Sequence, residues 1–429
     1  MSFVPFVGGV SILASLIAFL LVIPEDSIWR FQKTAEPIKS LSNSLFSRTL
    51  ASFMDNPFLL PTPYANSLVV SSARGTTQVS IHTTKFIASN EAIFSILADL
   101  FGLVIDGIHN IPFELSQLSG FPKLNEEIKT ILSIAFHKSN DLERSSPLGL
   151  LWKGVGVEPI PDNRWIKYKG LFTLQNATTG IDEIDDAVLR ASTIVSETLQ
   201  FARSHNLARF FGITETEIKW SYIFLHAFGV LGPQGRKIII APLVFARHST
   251  NQARTVSISE SADTIDIVTS SLSNLDRGEE ILVDGKPYLS DAYAFLFHGS
   301  WIGDGSIHRG KVTLRSNSNS KIDYWFSNVE EESIMFREWL LSMFTSSLHD
   351  SSWAEIRAIH AILHSLQMKL ESLRPSLPSS LSSAKNGVID CPLERIRFIY
   401  FNGILTEINF FESLLGMKRS EIFDGHNHL

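Results

Sequence analysis

The stretch KIIIAPLVFARHSTNQARTVSI, Lys237 to Ile258, places two short β-branched runs on either side of Arg247-His248. Val, Ile and Thr suit a pleated, half-buried surface, so KIIIAPLVF and ARTVSISES read as strands. TIDIVTS and EEILVDG continue the series after polar turns. Together they predict a small, irregular antiparallel sheet. Just upstream, TETEIKWSYIFLHAFGVLG sets Thr214 and Glu217 at the spacing of a capping box, which predicts a helix that stops near Gly229 or Gly232.

Further toward the N-terminus, NSLVVSSARGTTQVSIHTTKFIASNEAIFSI alternates apolar and polar residues. This predicts two or three short strands with a turn at Ala73-Arg74-Gly75. From about Asn90 the spacing shifts to helical, with Leu124, Ile128, Ile131, Leu132 and Ala135 on one face. IDEIDDAVLRASTIVSETLQFARSHN predicts a second long helix, its acids in the first turn where the helix dipole favours them. Beyond Ser316, VEEESIMFREWLLSMF, SWAEIRAIHAILHSLQMKLESL and LERIRFIYFNGILTEINFFESLLG keep helical spacing, and the Pro/Ser loop RPSLPSSLSSAKNG divides them. The expected organisation is a connector at 27–63, an α+β unit at 64–315 with a helical insertion at about 90–206, and an all-α domain at 316–429.

Over 429 residues, 44% hydrophobic and 19% charged, there is ample apolar material for a large core. A formal net charge of −7 gives no general attraction for a phosphate backbone, so nucleic acid is not an expected partner. Cys391 is the single cysteine, which excludes an internal disulfide framework and a multi-cysteine zinc site. His426 and His428 in DGHNHL could bind a metal adventitiously, but two histidines on a free tail read as an exposed end, and no metal site is expected. Ser2 to Pro24 carries no charged side chain and is long enough to cross a bilayer. It predicts an N-terminal membrane anchor at 1–26, with residues 3–23 in the lipid. Arg30, Lys33 and Lys39 follow it, which keeps the main body on the cytosolic or matrix-like side. A cleaved targeting segment is the rival reading. The mitochondrial inner membrane is slightly favoured over the endoplasmic reticulum.

The order of these parts resembles the SET-domain protein methyltransferases of the Rubisco large-subunit methyltransferase class and their actin-histidine relatives. ARGTTQVSIHTTKFIASNEAIFSI carries a comparable Arg74-Gly75 turn and a comparable Asn90-Glu91. Trp220 matches a helix tryptophan, Arg247-His248-Ser249 falls where the family has Asn-His-Ser, and RGEEILVDGKPYLSDAYAFLFHGSWI supplies Gly278-Glu279 and His298-Gly299. The resemblance implies an α+β fold with irregular small sheets, a helical insertion, and a C-terminal helical domain that holds the protein substrate. It also implies S-adenosylmethionine as cofactor. In active members the Asn-His segment holds that cofactor, the Arg-Gly turn lines its methionine end, and two tyrosines shape the channel for the amine. A degenerate cofactor pocket is therefore expected from Arg74, Gly75, Arg247, His248 and His298.

The departures fall on the chemistry. Arg247 replaces the Asn, Gly285 and His298 stand at the tyrosine positions, and Asp291 replaces the Asn between them. Methyl transfer from a sulfonium needs a neutral amine, an in-line approach and dipoles that accept developing charge. Two unit charges about 5 Å apart at an effective dielectric of about 20 repel by roughly 3 kcal/mol. An inward-pointing Arg247 would oppose the cofactor's sulfonium by that amount; an outward one would only forfeit an amide. Tyr288 and Tyr293 could replace the lost hydroxyls, and Asp291 could accept from a cationic amine, yet tyrosines in a strand-rich core commonly pack. Arg74 also reads as an exposed turn residue and His248 as a hydrogen-bonded structural histidine. The sequence therefore leans toward a non-catalytic scaffold or accessory subunit working with other protein subunits of a membrane assembly. The alternative is an S-adenosylmethionine-dependent lysine or histidine methyltransferase with a diverged site.

Overall fold

The alternation in TIDIV puts Ile265 and Ile267 on the buried face of β10 (Thr264–Val268). This strand lies inside a six-stranded sheet ordered β1-β4-β10-β9-β11-β8. The other members are β1 (Leu59–Leu60), β4 (Ala92–Leu97), β8 (Arg247–Ser249), β9 (Thr255–Glu260) and β11 (Leu282–Asp284). Smaller sheets pair β2 (Leu68–Ser72) with β3 (Val79–Thr83), and β5 (Val104–Ile105) and β6 (Val230–Leu231) with β7 (Lys237–Ile240). This computed structural model describes residues 59–60, 68–72, 79–97, 104–108, 111–141, 179–232, 236–249, 255–260, 264–269, 274–284, 290–293, 296–297, 308–315, 320–346, 353–373 and 392–426.

Two features differ from the pattern. The sheet is mixed, because β11 runs parallel to both β8 and β9 while the β9–β10 and β10–β4 pairs are antiparallel. Between β10 and β11 the chain crosses over through Leu275–Ile281, re-entering beside β9 in β9's own direction, and parallel neighbours require a connection of that kind. Alternation alone carries no information about direction. Helical structure also starts later than Asn90. Short apolar runs such as those at 92–97 and 104–105 form β4 and β5, and periodicity over so few residues does not separate strand from helix.

The insertion then becomes helical as its spacing requires. In α1 (Glu126–Asp141) the face of Ile128, Ile131, Leu132 and Ala135 is buried, with Leu124 packed against the same core. The long α2 (Asp182–Ser204) and α3 (Glu215–Phe228) complete this layer. Thr214 caps α3, its hydroxyl accepting the Glu217 N–H at 3.3 Å, and Gly229 ends it. The Glu217 carboxylate meets Lys138 of α1 at 3.0 Å, so the second half of the capping signature joins two helices. Thr214→Ala is expected to lower stability by about 1 kcal/mol in urea denaturation.

A hairpin of β12 (Arg309–Arg315) and β13 (Lys321–Ser327) straddles residue 316. Its second strand thus lies in the stretch whose texture reads as the start of the helical region. There, α4 (Glu330–Thr345), α5 (Ala354–Leu373) and α6 (Pro392–His426) follow. α5 packs against α6, and Ile359, Ile362 and Leu366 of the one and Tyr400, Ile404 and Phe411 of the other are buried in the same core. The whole is a mixed α+β fold with small sheets and a helical C-terminal region. No helix among the described residues is long and apolar enough to cross a membrane. The apolar stretch Ser2 to Pro24 lies outside those residues.

Candidate functional site

Three chain segments that the sequence assigns to one site are joined by backbone hydrogen bonds. Strand β3 runs beside the segment entering β11: Gly278 N–H donates to Thr83 O at 2.7 Å, Thr83 N–H to Glu279 O at 3.0 Å, and Ile281 N–H to Ile81 O at 2.8 Å. Gly278 takes φ +85°, a left-handed turn that a side chain would strain, which explains a glycine before Glu279. Ile87 and Leu275 extend the pairing in both directions at 2.9 Å. Next to β11 lies β8, with Leu282 opposite Arg247, Val283 opposite His248 and Asp284 opposite Ser249. The β2–β3 pair, the Gly278-Glu279 turn and the backbone of Arg247-His248 therefore belong to one corner of the fold.

Among the described residues β8 is the terminal strand of its sheet, and it directs every second N–H and C=O away from β11. Arg247 and His248 have their backbones fixed there, while their side chains lie outside the described residues. Arg74, Gly75, Gly285, Tyr288 and His298 also lie outside them.

Tyr293 and Asp291 are placed fully, in a short helical turn at Asp291–Tyr293. The Tyr293 hydroxyl donates to His226 O at 2.8 Å and accepts from Lys237 Nζ. Lys237 also reaches His226 Nδ1 at 3.1 Å and His226 O at 3.3 Å. On its other nitrogen, His226 Nε2 meets Glu127 Oε1 at 2.9 Å, and Arg190 holds Glu127 Oε2 at 2.6 Å. An ammonium, an imidazole, a carboxylate and a guanidinium thus form one chain across β7, α3, α1 and α2. The imidazole lies between Tyr222 and Phe297, at centroid distances of 4.4 and 4.9 Å.

Burial and the Lys237 ammonium push His226 down to about 3, which leaves it neutral, accepting at Nδ1 and donating at Nε2. Burial alone would raise Glu127, but the hydrogen bonds from His226 and Arg190 and the Arg190 charge hold it at about 2. The Tyr293 hydroxyl is pushed well above the ordinary range by burial, then by Tyr222 and Glu127. None of Glu127, Arg190, His226 and Lys237 stands out in the sequence as a site residue. The one available signal is a lysine opening an otherwise aliphatic strand and a histidine inside an apolar helix.

Because the folded His226 binds its proton only near pH 3, while an unfolded histidine does so near its ordinary value of 6.5, stability is lost as pH falls between those values. The slope is at most about 1.4 kcal/mol per pH unit. Urea denaturation at pH 5 and 6.5 should show this loss in the wild type relative to His226→Gln.

Asp291, 1% exposed, meets His308 Nδ1 at 3.1 Å. Burial and then the Glu183 carboxylate raise it to about 7. The two placed candidates are thus both engaged with interior partners.

No protein-family model matches the chain, and no curated protein matches it. Solved structures do match in shape. The SET domain of LSMT bound to lysine and AdoHcy is 13% identical, with TM-score 0.54 over 90% of this chain and 93% of that one. The same domain bound to methyllysine and AdoHcy gives 13% identity and TM-score 0.57 over 87% and 92%. Rubisco LSMT bound to AdoMet gives 15% identity and TM-score 0.53 over 87% and 92%. Across nearly its whole length, the chain has a fold like that of the SET-domain methyltransferase Rubisco LSMT.

Proposed function

We propose that this protein is an S-adenosylmethionine-dependent protein N-methyltransferase acting on a lysine or histidine side chain. The observation that supports the reading is the joining of the β2–β3 hairpin, the Gly278-Glu279 turn and β8 into one corner of a fold shared with structures that hold AdoMet or AdoHcy. The residues present suit such a molecule at the level of backbone. The outer edge of β8 offers the donors and acceptors that an adenine or an amino-acid head group can use. Arg247 and His248 would hold it through that edge, with the Arg74-Gly75 turn beside its methionine end. When bound, the cofactor supplies an electrophilic methyl group.

The chain's own part is to admit a neutral amine and stabilise the charge that develops on it. The Tyr293 hydroxyl is taken up by His226 and Lys237, so Tyr293 acts by fixing the turn at 291–293. With Tyr293 and Asp291 so engaged, Tyr288 is left as the sequence's candidate to receive the amine. The N-terminal apolar segment would hold this fold at a membrane, in an assembly with other protein subunits. Alkaline carbonate extraction tests that part: the chain should stay with the membranes, and its release refutes a spanning segment.

Calorimetric titration with AdoMet is the deciding experiment. Saturable binding, and label transferred from methyl-labelled AdoMet to a protein acceptor, are expected. Arg247→Asn should tighten binding by up to about a hundredfold if the guanidinium faces the sulfonium, since roughly 3 kcal/mol of repulsion is then removed. Absence of binding in both proteins would overturn the reading and leave a SET fold serving as a scaffold.

A further inference from the structure

Two carboxylates are buried where the C-terminal helices join the rest of the fold. Glu183, at the start of α2, accepts from Ser290 Oγ and from Tyr400 OH of α6, the latter at 2.5 Å. Lys311 N–H of β12 donates to the same Tyr400 oxygen at 3.4 Å. Beside this chain sits Asp291, facing His308 at 3.1 Å. The charged groups packed around Asp291 are Glu183 from α2, His308 and Arg309 from the start of β12, and Lys311, whose charge acts on Glu183. The Arg309 guanidinium is turned to Glu332 of α4, at 2.5 and 2.7 Å.

A proton on Asp291 keeps that carboxyl neutral beside His308 and Glu183. Burial raises Glu183 as well, outweighing its hydrogen bonds from Ser290 and Tyr400, so the two neighbouring carboxyls resist being charged together. We propose that the Asp291–His308 pair is a proton-operated latch fastening the turn at 290–293 to β12 and, through Ser290, Glu183 and Tyr400, to α6. The latch is closed while Asp291 keeps its proton and slackens when the proton leaves. The turn follows β11 in the chain, so the latch acts on the strand that borders the candidate corner.

The sign of the effect follows from the direction of the shift. Asp291 is raised from 3.8 to about 7, so the folded state binds the extra proton between those values, and stability is lost as pH rises through them. His226 contributes the opposite slope between about 3 and 6.5, so the difference between wild type and variant is the informative quantity.

Urea denaturation of the full chain from pH 5 to 8 should show the wild-type folding constant falling, relative to Asp291→Asn, by up to about tenfold per pH unit toward pH 7. Hydrogen exchange at residues 392–405 of α6, corrected for intrinsic rate, should accelerate over the same range in the wild type and stay level in the variant. Glu183→Gln should move the transition to lower pH by removing the neighbouring charge. Parallel stability curves for wild type and Asp291→Asn overturn the proposal. So does an unmoved transition in Glu183→Gln, and so does wild-type exchange at 392–405 that is independent of pH, a result that needs no variant to fold.

Discussion

Arg337→Ala is expected to destabilise the C-terminal region by about 3–5 kcal/mol. Arg337 of α4 grips Glu407 of α6 with both arms of its guanidinium, each at 2.8 Å, and the carboxylate is 1% exposed. The Tyr324 hydroxyl of β13 donates to the same carboxylate at 2.5 Å. Truncating the arginine leaves a buried anion with one neutral donor, and water cannot readily reach it. The guanidinium also lies 4.1 Å from the centroid of the Phe410 ring, and the same truncation removes that cation–π attraction. Arg337→Lys should retain the charge but not the two-point geometry, and so recover only part of the stability. Chemical denaturation gives the free energies. A loss under about 1 kcal/mol for Arg337→Ala would mean that water enters the site and solvates Glu407.

A second large effect is expected at Phe326, where truncation to Ala should cost about 3–5 kcal/mol. Its ring projects from β13 into a slot between two glycines. A Cβ on Gly310 would lie 2.1 Å from the ring, and one on Gly403 would lie 2.2 Å from it, so the ring itself keeps both positions bare. Tyr400 closes the slot edge-on, at a centroid distance of 5.3 Å. Gly403→Ala brings a helix-propensity gain of about 1 kcal/mol, but overpacking against a ring hemmed in on three sides costs about 1–3 kcal/mol. We therefore expect it to be destabilising. In the double variant Phe326→Leu/Gly403→Ala the two losses should fall well short of their sum, because the smaller side chain vacates the space that the methyl needs. Additive losses would show that the ring and the glycine do not share one slot.

Much of the architecture can be read from the sequence because its local patterns are strong. The face of Ile128, Ile131, Leu132 and Ala135, the Thr214 cap and the three C-terminal helices all follow from spacing and capping chemistry, and all are present. The parallel pairing of β11 does not follow, since direction depends on a crossover between segments remote in sequence. β13 is a comparable case, with Ile322, Tyr324 and Phe326 alternating inward but followed directly by helical spacing, so that the strand reads as part of what comes next. At the candidate site the sequence points to motif positions but not to their surroundings. That Tyr293 is held by His226 and Lys237, and Asp291 by His308, depends on α3, β7 and β12 meeting in space. Glu127, Arg190, His226 and Lys237 belong to no motif, and a charged residue becomes recognisable as an interior group only once the helices around it are placed.

The pairing of β3 with the strand-entry segment also governs how the chain is made. His82 and Gly278, which share a hydrogen bond, are 196 residues apart. A ribosome delivering about 5–20 residues per second therefore leaves the first hairpin waiting roughly ten seconds or more for its partner. During that interval an unmatched strand edge is open to chaperones or to neighbouring nascent chains. The corner proposed to take the methyl donor can thus close only late in biogenesis, and a chain cut before Ile281 would keep its early strands without ever acquiring that corner.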